Sequence, residues 1–396
     1  MKISIVVYGT RGDVQPMLAL ANAFKNKGHE ILFCANPENE NLVKNYNCNF
    51  IPFGPNVKDQ LKISAETKKS PDSFSSLKGL KQEIEKQVAL LPNIIKGSDL
   101  VLGAGIVFGV RSATEIADIP FRLIVFYPSA LGPGKEGSFL NRLKYNAGMS
   151  GLNTALKGTI NKKRIEFGMS PIKNVIKNFG GDHVIVASDV ALNVVKEGVK
   201  AKYTQTGYMF LPPKNELPEN VKDFIASGKP PVFISFGSNP ISEPNKITNI
   251  FNRVSAATHQ RLIVSKGWAE LASVSSSSDI LYVDDMPYET LFPQMAAIIH
   301  HGGTGTVASA AKAGVPQAAF PYMFDQFENH KQIIKLGLSP KTCIFKKLSD
   351  EALSAAIMDC VTNEQYKINA KEIAKKINNR DGLQLTVKLI EEEFNK

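Results

Sequence analysis

The sequence predicts an α/β protein made of two parallel-sheet lobes. Three observations carry this. Short β-branched runs alternate with helical stretches, the runs are almost continuously apolar, and a proline-rich segment splits them into two series. Continuous apolar runs mark strands buried on both faces, and alternation with helices implies βαβ units and parallel pairing.

The first series is Lys2 to Tyr8, Glu30 to Cys34, Asn49 to Phe53, Leu100 to Gly103, Phe121 to Phe126 and His183 to Ala187. The second is Pro231 to Phe236, Arg261 to Val264, Ile280 to Val283, Ala297 to His300 and Gln317 to Phe320. Between them, Leu211 to Pro231 carries five prolines and several charges, which suits an exposed connector. The expected division is a first lobe over 1–211, a linker over 212–230, a second lobe over 231–380 and a C-terminal helix over 381–396. That last helix is amphipathic and acidic, with no strand following it.

Composition narrows the class. The chain has 396 residues, 43% hydrophobic and 21% charged, which excludes a disordered, collagen-like or coiled-coil protein. The most apolar stretch, Val101 to Val110, is closed in by Asp99 and Arg111 and is too short to span a bilayer. Ile3 to Val7 is too short for the core of a secretory leader, and Arg11 and Asp13 follow at once. Cys34, Cys48, Cys343 and Cys360 show no metal-binding or redox spacing. A soluble cytoplasmic protein with reduced thiols is the expectation. The net charge is +10, and between Arg142 and Lys177 eight basic residues face one acid. They lie in Ser138 to Asn178, which with Lys58 to Gly97 forms two helical, Lys-rich insertions between strands of the first lobe. They read as a solvated face or as a peripheral contact with an anionic membrane; no nucleic-acid module is recognisable.

The chain opens with a strand and then Gly9-Thr10-Arg11-Gly12-Asp13, with a helix from Val14 to about Lys27. Pro16 suits a first helical turn and Gly28 a helix stop. Asp13 is therefore expected in a loop at the C-terminal edge of the first strand, where open α/β sheets hold ligands. It reads equally as a helix cap. The glycine spacing is not the dinucleotide fingerprint, which disfavours nicotinamide.

The second constellation follows Ala296 to Ile299. It is His300-His301-Gly302-Gly303-Thr304-Gly305-Thr306, leading into an alanine-rich helix. A strand and Pro321-Tyr322-Met323-Phe324-Asp325-Gln326 come next. One βαβ unit sends both loops to the same sheet edge, so His301 and Asp325 should be neighbours although 24 positions apart. Glycines and a helix N-terminus make the first loop an anion site, to which His301 and Thr306 add donors. No lysine follows, so it is not a P-loop. Asp325 and Gln326 offer acceptors and an amide suited to sugar hydroxyls, and a diphosphate beside a hydroxyl reader suggests a nucleotide-sugar. Metal binding by His300 and His301 competes, although adjacent strand residues point to opposite faces. Ser238 ends a small-residue loop after the first strand of the second lobe. Trp268 could flank a base or pack in a core.

With these residues, the chain resembles the family 1 (UDP-glycosyltransferase) enzymes of the GT-B fold, in the branch of sterol glucosyltransferases and glycopeptide-antibiotic glycosyltransferases. The resemblance rests on Gly9 to Pro16 and on His300 to Gln326. It implies two facing Rossmann-like lobes, with the acceptor in the first, the nucleotide-sugar mainly in the second, and a C-terminal helix returning to the first. It also implies that Asp13 is the catalytic base. His301, Gly303, Thr304, Gly305 and Thr306 match the diphosphate-binding turn, Asp325 and Gln326 match the sugar-holding pair, and Arg11, Gly12 and Ser238 lie near the donor. Asn239 stands where this branch commonly has Met. Asp285 stands near where plant relatives stack a tryptophan on uracil, which leaves UDP against dTDP open.

The implied reaction is a metal-independent inverting transfer of a hexose, UDP-glucose being the favoured donor, to a hydroxyl of a hydrophobic small molecule or lipid. No Asp-x-Asp triplet occurs, and the nucleotide-sugar is a substrate, so no cofactor is expected. Apolar pieces such as Ile106-Val107-Phe108 and Phe126-Tyr127-Pro128 favour a hydrophobic alcohol. A nonhydrolysing sugar-nucleotide epimerase and a catalytically silent nucleotide-sugar-binding protein are the alternatives, and a dehydrogenase is weaker still.

Overall fold

The computed structural model describes residues 1–57, 59, 77–135, 137–237, 244–267, 277–323 and 325–394. They form two compact units, Met1–Leu211 with Asp381–Lys396, and Pro212–Arg380.

The first unit has seven strands: β1 (Lys2–Tyr8), β2 (Glu30–Ala35), β3 (Asn49–Pro52), β4 (Leu100–Gly105), β5 (Phe121–Val125), β6 (Val184–Val186) and β7 (Tyr203–Gln205). Their order is β3-β2-β1-β4-β5-β6-β7, every pair parallel. Alternate residues of β1 enter different cores. Ile3, Ile5 and Val7 pack with Met17, Leu20 and Phe24 of the Arg11–Asn26 helix, while Val6 and Tyr8 pack with Leu91 and Val110 on the other face. β7 was not expected: Tyr-Thr-Gln is too short and too polar to register as a buried run.

The C-terminal helix, Gly382–Phe394, completes this unit. Val387 and Ile390 are fully buried in the same core as the first helix. Gly382 lies against the backbone of Gly207, where a Cβ would come within 2.4 Å of the Gly207 carbonyl carbon. Lys27 and His29 both reach Glu391, at 2.6 and 3.1 Å. Arg122 pairs with Glu393 and lies 4.7 Å over the Phe394 ring.

The second unit has five strands: β8 (Val232–Ser235), β9 (Leu262–Ser265), β10 (Ile280–Val283), β11 (Ala297–His300) and β12 (Gln317–Ala319). The order β10-β9-β8-β11-β12 is again wholly parallel. The expected linker over 212–230 needs correcting, because it holds a helix, Glu219–Ala226, capped by Pro218. Leu217 and Val221 are buried in the unit's core, and Arg261 stacks 4.1 Å from the Phe224 ring. Its prolines flank the helix rather than interrupt it. The Lys58 to Gly97 insertion contains the Leu77–Ile94 helix; 58 and 60–76 lie outside the described residues. Among the described residues no helix is long and apolar enough to cross a membrane.

Candidate active site

Both sheets reverse strand order beside their first strand, between β1 and β4 and between β8 and β11. Ligand crevices of open α/β sheets form at the carboxyl ends of such strands. Asp13 lies at the first of these edges, and His301, Asp325 and Gln326 at the second, each within its own unit.

In the first unit, β1 ends at Tyr8 and Thr10 caps a helix that begins at Arg11, three residues earlier than expected. Asp13 is therefore in the first helical turn rather than in a loop. Its Oδ2 accepts the Thr10 N–H at 2.9 Å, so the carboxylate occupies one of the donors a helix start leaves unpaired. This also explains Gly9, since a Cβ there would lie 2.2 Å from Oδ2. Asn36 Oδ1, in the loop after β2, accepts the Gly9 N–H at 3.1 Å and fixes the turn. Pro16 sits inside the helix, not at its first turn. Gly12 is exposed, and Arg11 is half-buried on the same turn. With the Gln15 amide oxygen turned toward it, Arg11 Nε donates at 3.0 Å.

In the second unit, β11 delivers His300 fully buried. Its Nδ1 accepts the Gly302 N–H at 2.9 Å and its Nε2 lies 2.9 Å from Gln317 Oε1. Burial holds this imidazole neutral, its pKa depressed to about 3. Nδ1 serves the turn and Nε2 faces β12, so neither nitrogen is left for a metal. His301 points the other way, between two glycines. A Cβ on Gly303 would lie 2.4 Å from its Nε2, and one on Gly237, just past β8, 2.6 Å from its Cε1. Burial lowers its pKa to about 4, partly opposed by the backbone of Ser235. The turn thus owes its positive character to the helix start and not to an imidazolium.

The helix Thr304–Ala313 begins after Gly303 with no side chain capping it. The N–H groups of Thr304, Gly305 and Thr306 are the donors that a helix leaves without internal partners. An anion placed there gains the helix dipole as well. The Thr304 hydroxyl is not part of that set, because it donates to Asp325 Oδ2 at 2.9 Å. This bond joins the loops after β11 and β12, as the βαβ reading requires. Burial raises the Asp325 pKa, and the bonds from Thr304 and Asn329 oppose the rise. Gln326 Oε1 accepts from the N–H groups of Tyr322 and Met323 at 2.8 and 3.1 Å, so its NH2 is the end left for a ligand.

Asn329 went unnoticed in the sequence. Its Nδ2 donates to the Gly302 carbonyl at 2.9 Å, and lies 3.0 Å from Thr304 Oγ1 and 3.2 Å from Asp325 Oδ2. Its spacing of four from Asp325, on one helical face, was the signal. Ser238, Asn239 and Trp268 lie outside the described residues. Asp285 is exposed just past β10.

Residues 3–110 match the family described as the glycosyltransferase family 28 N-terminal domain, and residues 258–390 match the erythromycin biosynthesis protein CIII-like C-terminal domain. Glycosyltransferase GtfE of Amycolatopsis orientalis is 27% identical, over 94% of this chain and 93% of its own length. A sterol 3-beta-glucosyltransferase of Arabidopsis thaliana is 28% identical, over 98% of this chain and 67% of its own. Among solved structures, glycosyltransferase VinC in complex with dTDP superposes with a TM-score of 0.69 at 17% identity, covering 98% of each chain. The two parallel-sheet units are those of the GT-B fold. The chain is a glycosyltransferase that uses a nucleotide-sugar donor, and it is similar to the family 1 GT-B enzymes.

Proposed function

We propose that the protein is an inverting, metal-independent hexosyltransferase that moves glucose from UDP-glucose to a hydroxyl of a hydrophobic small molecule or lipid. The observation that carries this is the uncapped helix start at Gly303, beside the Thr304–Asp325 bond. It offers amide donors for a diphosphate next to a carboxylate and an amide for a sugar ring. Asp13, anchored through Oδ2, takes the proton of the acceptor hydroxyl as that oxygen attacks the anomeric carbon. The bond from that carbon to the β-phosphate oxygen breaks, and UDP leaves with the bonding pair. Charge growing on the leaving diphosphate falls on donors already in place, the preorganised arrangement that often dominates catalysis. One displacement inverts the configuration.

The test incubates the protein with UDP-glucose and a panel of hydrophobic alcohols in EDTA, with the product's anomeric configuration read by NMR. A β-glucoside from the α-configured donor, undiminished by EDTA, is expected. An α-linked product, or transfer that requires an added divalent cation, would refute the mechanism. Consumption of UDP-glucose to an epimer without acceptor would favour the epimerase instead.

A further inference from the structure

We infer that the outward face of the Phe139–Glu166 helix docks on an anionic lipid surface. This helix has 28 residues, enough for roughly 40 Å. Its inner face is defined by Leu156, Ile160 and Arg164, buried at a spacing of four. Asn153 and Asn161 bond the backbone N–H groups of Val175 and Ile172, both at 2.8 Å.

The opposite face has none of the charge expected of a helix turned to water. At 100° per residue, Leu140, Leu143, Ala147, Gly151, Gly158 and Ile165 fall on one stripe. Leu140, Leu143 and Ile165 are 56%, 53% and 62% exposed, and Phe139 at its start is 74% exposed. A Cβ on Gly151 or Gly158 would meet nothing within 4 Å, so no packing neighbour accounts for these poor helix formers. Thr154, on the same stripe, returns its hydroxyl to the Ser150 carbonyl at 3.0 Å, which satisfies it without solvent.

Cations border the stripe. Lys144 and Lys162 lie along one edge and Lys157 along the other, all exposed. Among the described residues these three pair with no carboxylate, whereas Lys163 and Arg164 are held by Glu166 and Glu115. Glu166 is the only acid in the helix. An apolar strip between basic margins is the pattern of a helix lying in a membrane interface, where anionic headgroups attract each nearby lysine. Charge selects lipid over a second copy of the chain, which would press lysine margins against each other. None of this depends on the chemistry assigned to Asp13 or His301.

The experiment is co-sedimentation of the full chain with phosphatidylcholine vesicles, with and without phosphatidylglycerol. Binding to the anionic vesicles at low salt is expected, weakening as salt screens the lysines. Leu140→Glu with Leu143→Glu should abolish it. Lys144→Gln, Lys157→Gln and Lys162→Gln together should weaken it by about 100-fold. These side chains are exposed, so thermal unfolding should not change. Failure to sediment, equal binding to uncharged vesicles, or unchanged binding of either variant would overturn the proposal. So would a dimer by light scattering that Leu140→Glu dissolves.

Discussion

Asp13 is assigned two duties, and a pair of substitutions separates them. The carboxylate accepts the Thr10 N–H at 2.9 Å, and Asn keeps an oxygen that can make that bond. Asn keeps that bond but loses the charge the helix dipole favours, so Asp13→Asn should cost no more than about 1 kcal/mol. It removes the proton acceptor, and with it a general-base factor of roughly 10²–10⁴ in turnover, about 3–5 kcal/mol of transition-state stabilisation. Asp13→Ala loses both, adding about 0.5–2 kcal/mol of lost stability. For a unit of this size that is roughly 1–8 °C in Tm. UDP affinity, carried by the other unit, should be unchanged in both variants. The assays are radiolabelled transfer, calorimetric UDP titration and thermal unfolding. Asp13→Asn turnover within a few-fold of the unsubstituted protein, or equal destabilisation by Asn and Ala, would refute the division of roles.

Three further outcomes follow from the geometry. Gly303→Ala places a methyl 2.4 Å from His301 Nε2 and must displace the ring or the turn, so UDP affinity should fall by about 10- to 100-fold by calorimetry; unchanged affinity contradicts the diphosphate placement. His300 and His301 titrate at 6.5 when free and at about 3 and 4 when folded, so only the unfolded chain takes up protons in between. Each should remove roughly 1.4 kcal/mol of second-unit stability per pH unit as pH falls below 6.5, with the full contribution present above it. Denaturant titrations followed by far-UV circular dichroism at several pH values read this slope, and His300→Asn should lower it by one histidine's share. Arg122→Leu breaks the pairing with Glu393 and the stacking on Phe394, so amides of Gly382–Phe394 should lose hydrogen-exchange protection while β8 to β12 keep theirs.

The strands were legible because burial on both faces leaves continuous apolar runs, and all eleven expected ones begin within a residue of their observed starts. Local capping was harder to read. Gly9 to Asp13 looks like a glycine loop, yet the Thr10–Asp13 bond starts the helix early and makes Gly9 a matter of clearance. Pro16 then falls in the helix interior, where its missing N–H leaves unbonded only the carbonyl of exposed Gly12. The linker was misread because prolines that delimit a short helix look the same as prolines that prevent one. In the second unit the motif announced the loops, but not the supports. Asn329 and Gln317 act through side-chain hydrogen bonds to these loops, which the apolar pattern does not mark.

The central claim is that a pyrophosphate rests on the amides opening the Thr304–Ala313 helix. A crystal structure with UDP bound tests it most directly. The β-phosphate oxygens should lie within hydrogen-bond reach of the N–H groups at 304–306, with His301 beside them. A diphosphate held at another edge of the sheet, with those amides facing only water, would contradict it.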